Sequence, residues 1–217
     1  MTTFPGSPKV LRGGIVLLDN ASPIVHRIIA LQYNPDTLTR SLQIKGVSAE
    51  SGDHLEALRL KGAPVETIQV EVELDASDQL EAKDANTIEL GLHPQLAVLE
   101  GIIYPTSEHL YTHRSDAASG AIEIAPMQGP LTVFIFGPKR IVPVRITEFS
   151  ITEDAFDINL NPIRAKVNLS MRVLSVDDLG FESRGGGLFM AYLEAKEQLA
   201  GKFNEGQFGE FGIKGIF

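Results

Sequence analysis

Residues 137–179 read GPKRIVPVRITEFSITEDAFDINLNPIRAKVNLSMRVLSVDDL and contain two strand patterns joined by a polar connection. Polar and apolar residues mostly alternate over 145–151, and they alternate without a break over 165–173. A period of two indicates a strand with one buried face. The connection, EDAFDINLNP (153–162), is rich in the Asp, Asn and Pro residues that favour turns. The segment therefore predicts a β-hairpin.

The second strand of this hairpin separates its side chains into two faces. The apolar face predicts a contribution to the core and consists of Ala165, Val167, Leu169, Met171 and Val173. The polar face predicts contact with water and consists of Lys166, Asn168, Ser170 and Arg172.

Residues 65–74 form a second clear amphipathic strand. Its apolar side consists of Ile68, Val70, Val72 and Leu74, and its polar side of Thr67, Gln69, Glu71 and Glu73. Because acids and amides in a row are seldom buried, the polar side is expected to be wet. Further strands are predicted within 10–18, 24–33, 38–47 and 131–136.

Two helices are predicted, one within 79–103 and one over 188–200. The second carries an apolar stripe of Leu188, Tyr192, Ala195 and Leu199. Segments 48–63 and 106–129 are interpreted as loops, and the three glycines at 185–187 as a flexible break.

Together these elements predict a mainly β fold, a barrel or sandwich of two packed antiparallel sheets with a flanking α-helix. The predicted β domain covers residues 1–180, and a C-terminal helix with a Phe/Gly-rich tail covers 181–217. Exposed aromatic residues among glycines tend to dock onto another surface. The tail therefore predicts a contact through Phe203, Phe208, Phe211 and Phe217.

Composition narrows the functional classes. The 217 residues carry a formal net charge of −9, which disfavours nucleic acid as the main partner. There is no cysteine, so disulfides and thiolate sites are excluded. The N-terminus lacks the apolar core of a signal peptide, and no apolar run is long enough for membrane insertion. Synthesis in the cytoplasm is expected, with release from the cell by lysis or as part of a particle.

Several clusters of polar residues were weighed as chemical sites. His109 and His113 have the spacing of two ligands on one helix face, but no acid or third ligand accompanies them. A cluster of acids consists of Asp75, Asp78, Glu81 and Asp84. Their spacing matches no calcium-binding loop, so a solvated edge explains them better than a cation site does.

The acids of the hairpin connection also have a structural explanation. Glu153, Asp154 and Asp157 are expected to cap the turn and to form salt bridges with Arg145 or Arg164. The glycines at 185–187 lack the Lys-Ser/Thr that follows in a phosphate-binding loop. No catalytic, cofactor-binding or metal site is therefore expected, and the chain is predicted not to be an enzyme.

Two separated segments resemble one known family. LQYNPDTLTRSL (31–42) resembles the opening FNP-type motif of contractile injection system tube-family domains, and residues 137–179 resemble the closing hairpin of that family. The resemblance covers most of residues 10–180. The closing motif is carried by Thr152, Glu153, Phe156, Asp157, Asn161, Pro162, Arg164 and Ala165.

This resemblance implies a phage tail-tube-like β-barrel, of which six copies form a homohexameric ring around a channel. The members in question are baseplate hub adaptors and tube initiators of phage-tail-like particles. The implied partners are the spike or hub protein, inner-tube subunits and other baseplate proteins. Many members carry a C-terminal LysM domain, which residues after 180 do not resemble.

Three sets of residues are expected to serve assembly. Phe156, Asn161, Pro162 and Arg164 would fix the hairpin connection, and the tail phenylalanines would bind a neighbouring baseplate component. If the resemblance holds, the channel-facing candidates are Lys166, Asn168, Ser170 and Arg172. Two alternatives stay open. One is a major inner-tube subunit, which the long loops and the C-terminal extension disfavour. The other is a small β-sandwich module that binds or hydrolyses carbohydrate.

Overall fold

One seven-stranded antiparallel sheet organises the fold. The structure is a computed structural model that describes residues 10–19, 22, 24–46, 59–118 and 129–214. The strand order is β2-β1-β5-β6-β7-β4-β3, so the predicted hairpin lies near the middle. The strands are β1 (Gly14–Leu18), β2 (Val25–Ala30), β3 (Leu38–Gln43), β4 (Val65–Asp75), β5 (Leu131–Ile135), β6 (Ile141–Phe156) and β7 (Pro162–Val173).

The β6–β7 hairpin is confirmed, and it is longer than predicted. Its ladder runs from the pair Val144–Val173 to the pair Phe156–Pro162, so the connection is only residues 157–161 rather than 153–162. Glu153 and Asp154, which were assigned to the turn because they are polar, belong to β6 and lie opposite Ala165 and Arg164 of β7. A bulge between Ile146 and Glu148 explains why the alternation in β6 is imperfect.

The predicted apolar faces of β4 and β7 are confirmed, whereas Ser170 on the polar face of β7 is buried (7% exposed) rather than in contact with water. All nine apolar side chains of the two faces are buried. They lie in one core cluster with Ile15 of β1, Ile29 of β2 and Phe134 of β5. Burial on a single face of each strand is the expected result of period-two alternation.

The sheet folds back on itself. The Gln32 side chain, which follows β2, donates from Nε2 to the Asp75 carbonyl oxygen (2.7 Å). Its Oε1 accepts from the Asp75 backbone N–H (3.0 Å), at the end of β4. Strands β2 and β4 are not neighbours in the strand order, so this contact brings two distant parts of the sheet together. The mainly β class is therefore confirmed, but the described strands form one continuous sheet rather than the two packed sheets that were predicted.

Short helices surround the sheet. The predicted helix within 79–103 is divided in three at two residues with positive φ. Lys83 (57°) lies between the first two helices, and Gly91 (56°) ends the second. Leu92, Leu96 and Leu99 bury the third against the core. The helices are α1 (Ser77–Glu81), α2 (Ala85–Leu90), α3 (His93–Glu100), α4 (Ser107–Ala118), α5 (Val176–Leu179) and α6 (Arg184–Ala200), followed by a 3₁₀ turn (Phe208–Phe211).

The loop predicted over 106–129 is wrong for its first half, which forms α4. This helix buries no residue, so its sequence carries no apolar stripe to detect. Residues 119–128 lie outside the described part of the chain, as do residues 48–58 of the other predicted loop. Within the described ranges, none of the helices combines the length and apolarity needed to cross a membrane.

Helix α6 begins where a flexible break was predicted. Gly185 and Gly186 are buried in its first turn, and the Ser183 hydroxyl caps it by accepting from the Gly186 N–H (2.9 Å). These glycines are therefore required for close packing rather than for flexibility. The buried face is carried by Phe189 and Tyr192, which join the core of the sheet. Of the predicted stripe, Tyr192 is buried, Leu188 packs against a second, smaller core cluster, and Leu199 is exposed. The boundary at residue 180 stays a prediction.

Candidate functional site

The outward side of β3, β4, β7 and β6 forms one continuous polar face. The register places Asn168 of β7 between Glu71 of β4 and Ser150 of β6, and Ser170 between Gln69 and Glu148. The polar residues predicted on β4 and β7 are thus brought together. We call this surface the polar face, and its members are Thr39, Ser41, Thr67, Gln69, Glu71, Glu73, Lys166, Asn168, Ser170, Arg172, Arg145, Glu148, Ser150 and Thr152.

Two cations of the polar face, Lys166 and Arg172, form salt bridges with neighbouring acids. Lys166 Nζ lies 3.1 Å from Glu73 Oε1 and 3.2 Å from Glu71 Oε1. The hydrogen bonds to Glu73 and Glu71 raise the pKa of Lys166, so it stays charged. Arg172 Nη2 lies 2.6 Å from Asp178 Oδ1. The arrangement is a wet surface of paired charges rather than a separated acid and base.

Asp157 caps the hairpin connection, as its residue type predicts. Its Oδ1 accepts from the backbone N–H groups of Asn159 (2.7 Å) and Asn161 (2.8 Å). Its Oδ2 accepts from Asn161 Nδ2 (2.9 Å). The side-chain and then the backbone hydrogen bonds from Asn161 hold the pKa of Asp157 below its usual range. The carboxylate therefore fixes the turn.

The connection is also anchored to the helices. Asn161 Nδ2 donates to the Glu89 carbonyl oxygen (3.0 Å), and the buried Pro162 accepts through its carbonyl from Leu92 N–H (2.9 Å). The expected salt bridge of Arg164 with Glu153 or Asp154 is not found among the described residues. Its Nε lies 3.2 Å from Asp75 Oδ2, because β4 lies beside it on the same face.

We expect Asn161→Ala to loosen the hairpin connection while the sheet stays folded. The variant loses the bonds to Glu89 and Asp157, so amide exchange over residues 157–162 should rise roughly tenfold. Hydrogen–deuterium exchange read by mass spectrometry measures this. Asn159→Ala is the matched control, since Asn159 contributes its backbone N–H to the turn. Equal exchange in the two variants would contradict the anchoring role of Asn161.

The anchored connection presents apolar side chains to solvent. Ile158 is 98% exposed, and Phe156 and Leu160 are also exposed. Leu160 has a positive φ of 65°, an uncommon conformation that the surrounding hydrogen bonds maintain. We call residues 156–160 the hairpin tip. Apolar groups held in a fixed conformation in water are typical of a protein contact.

The C-terminal tail is exposed along residues 201–214. Phe203 and Phe211 are 77% and 73% exposed, and Phe208 and Ile213 are also exposed. Phe217, which was predicted to act with them, lies outside the described residues. The tail thus displays several large apolar groups in water, as its composition predicts.

A buried carboxylate that the sequence interpretation did not single out joins α6 to the sheet. Glu66 on β4 is only 5% exposed at its side chain. Its Oε1 accepts from Arg40 Nε of β3 (2.7 Å) and from the Tyr192 hydroxyl (3.0 Å), and its Oε2 accepts from Lys196 Nζ (3.0 Å). We call these four residues the Glu66 cluster.

Two hydrogen-bond partners keep Glu66 ionised. Burial raises the pKa of its carboxyl, but the hydrogen bonds from Arg40 and Lys196 outweigh burial and hold the pKa below its usual value. Glu66 falls on the apolar side of β4, two residues before Ile68. A charged residue on a buried face is the signal that would have pointed to it.

The groups weighed for chemistry lie apart or serve local structure. Asp84 caps α2 by accepting from the Thr87 N–H, and Asp75 accepts from the Ser77 N–H just before α1 and binds Arg164. His109 and His113 lie on α4, at the surface. Among the described residues, no group of three or more His, Asp or Glu side chains is arranged to hold a metal ion. The predicted lack of enzyme activity stays a prediction.

Comparison with known proteins gives no identification. No model of a protein family matches the chain. A comparison with curated proteins also gives no match.

Proposed function

We propose that this protein is a structural ring subunit of a contractile injection system, which adapts the spike hub to the inner tube and initiates tube assembly. The observation that carries the proposal is the polar face, which spans four strands directly opposite the core. A channel wall needs such a surface, wet on one side and supported by packed apolar residues on the other.

Both ends of the sheet support assembly into a ring. Within the described strands, β2 pairs with β1 alone and β3 with β4 alone, so each presents an outer edge. Apolar side chains stay exposed near both edges, including Ile28 on β2 and Leu42 on β3. In a ring, the β2 edge of each copy pairs with the β3 edge of the next, and no edge is left open.

The resemblance supplies the number of copies and the neighbours in the particle. Six copies enclose the channel, with Lys166, Asn168 and Arg172 on its wall. Ser170, the fourth polar residue of β7, is buried within the subunit. One side of the ring matches the hub, and the other templates the first ring of tube subunits. The hairpin tip is suited to such a contact, because its apolar groups are exposed and its backbone is fixed.

Electron microscopy of the purified full-length chain tests this function. The expected particle is a six-fold ring with an open channel. Long tubes formed by the protein alone would instead favour a major inner-tube subunit. A protein that stays monomeric at high concentration and in the presence of its hub would contradict both.

We expect Leu42→Lys to prevent ring formation. Lysine on an edge strand opposes pairing with another strand, and Leu42 is half exposed, so the subunit itself should still fold. Leu110→Lys makes the same substitution on the exposed helix α4, away from both sheet edges and the polar face, and should leave rings intact. Mass photometry of the two variants measures the difference. Intact rings from Leu42→Lys would argue against edge-to-edge assembly.

A further inference from the structure

An open apolar groove lies between β2, the end of β4 and α3. Its volume is about 470 Å³. The walls are largely aliphatic, and the groove runs alongside the outer sheet strand β2. The apolar lining includes Ile28, Leu31, Leu74, Pro94, Val98 and Leu99.

Two hydrogen-bond acceptors in this groove lack donors. Gln79 and Gln95 both line it, and the Oε1 atom of each is buried and accepts no hydrogen bond from the described residues. Buried amide oxygens normally have a donor, because leaving them unpaired is unfavourable. A fitting occupant therefore supplies N–H groups together with apolar side chains.

The exposed C-terminal tail has this chemistry. Phe203, Phe208 and Phe211 supply aromatic side chains that are exposed in the single subunit. Glycines alternate with them at 206, 209 and 212. Glycine lets a backbone approach a surface closely, so its N–H groups can reach recessed acceptors.

The Glu66 cluster places the start of the tail beside β3. Lys196, near the end of α6, and Arg40 of β3 both bind Glu66. The tail thus leaves the subunit beside β3 and the start of β4, whereas the groove lies between β2 and the far end of β4, at Val72 and Leu74. Pairing the β3 edge of one copy with the β2 edge of the next brings the tail to the groove of its neighbour.

We propose that the tail of each copy binds in this groove of the adjacent copy. The inference rests on the proposed edge-to-edge ring and adds a second contact to it. Phenylalanine side chains occupy the apolar part, and tail N–H groups donate to Gln79 and Gln95. The tail then links each subunit to its neighbour in the ring.

Disulfide trapping tests the contact, since the chain contains no cysteine of its own. One variant carries Ala30→Cys at the exposed rim of the groove, and the other carries Glu210→Cys between the tail phenylalanines. The two are mixed and oxidised at concentrations that form rings. The mixed disulfide, identified by mass spectrometry, is expected to be the dominant product.

Two controls separate binding from random collision. Ile158→Cys mixed with Ala30→Cys should give far less mixed disulfide, although Ile158 is 98% exposed. Adding Phe211→Ser to the Glu210→Cys variant should sharply reduce trapping, whereas adding Tyr111→Ser, an exposed aromatic of α4, should not.

The outcomes distinguish the tail contact from the ring. Six-fold rings with mixed disulfide only at the control level would overturn the tail contact and leave the ring. Trapping without six-fold rings would overturn the ring and retain a contact between copies. A variant with both cysteines that closes an internal disulfide as a monomer would show the tail in its own groove and refute the proposal.

Discussion

Glu66→Ala is expected to lower the free energy of unfolding by about 3 kcal/mol. Glu66 is buried and accepts from Arg40, Tyr192 and Lys196, so the substitution removes three hydrogen bonds, two of them to cations. It also leaves a cavity and two cations without their carboxylate. Urea denaturation followed by circular dichroism measures the change.

Glu71→Ala is the matched control for this prediction. Glu71 lies on the same strand and also binds a lysine, but its side chain is exposed. Exposed ion pairs contribute little, so its unfolding curve should stay close to that of the unaltered chain. Equal effects of the two substitutions would show that the Glu66 cluster contributes no more to the free energy of unfolding than an exposed ion pair does.

The Glu66 cluster should also make stability sensitive to acid. The folded-state pKa of Glu66 is lowered, so its contribution is fully present above the unfolded-state pKa of about 4.3. The contribution is lost as the pH falls through the lower, folded-state value. Glu66→Gln removes this titration. The gap in stability between the two proteins should therefore narrow below about pH 4.

Gly186→Ala is expected to lower the free energy of unfolding by about 3 kcal/mol, whereas Gly187→Ala should be neutral or raise it by up to about 1 kcal/mol. A methyl group on Gly186 would collide with the backbone carbonyl oxygen of Gly180, and backbone there cannot rotate away. Gly187 lies next in the same helix, with open space at its Cβ position. Alanine also favours the helical conformation.

Parallel denaturation of the two glycine variants checks the prediction, with the unaltered chain as reference. Both variants add one methyl group at adjacent positions of the same helix, so the gain in helix propensity from glycine to alanine cancels when the two are compared. Equal stability of the two variants would mean that the start of α6 can move away from Gly180. Tail trapping in the Gly186→Ala variant would then show whether the tail moves with it.

The sequence was most informative where one face of a strand is buried. The alternation around Ile68 and Val167 predicted β4, β7 and their wet sides, because burial on one face selects apolar residues at every second position. Helix α4 was missed since it buries none of its residues and has no apolar stripe. The start of α6 was misjudged because glycine serves both flexible breaks and close packing, and sequence does not separate the two.

The candidate surfaces were predicted in part. The period of two predicted the polar side of β7, and the Phe/Gly composition predicted the exposed tail. The structure adds that β3, β4 and β6 extend the same polar face. The apolar groove depends on the folding back of the sheet through Gln32 and Asp75, a contact between distant segments. No local pattern contains that information, so neither the groove nor the unpaired Gln79 and Gln95 oxygens were predictable.

The position of β7 between β6 and β4 also sets the order in which the chain can fold. Strand β6 is its neighbour in sequence, whereas β4 pairs with it from the other half of the chain, as Thr67 does with Arg172. Local hairpins close quickly, and distant strand pairings form slowly because a long loop must be ordered first. During synthesis, β1 to β4 leave the ribosome well before β7 exists. The apolar faces of β1 to β4 stay exposed until β7 has been synthesised. During that period chaperone binding competes with aggregation of the new chain.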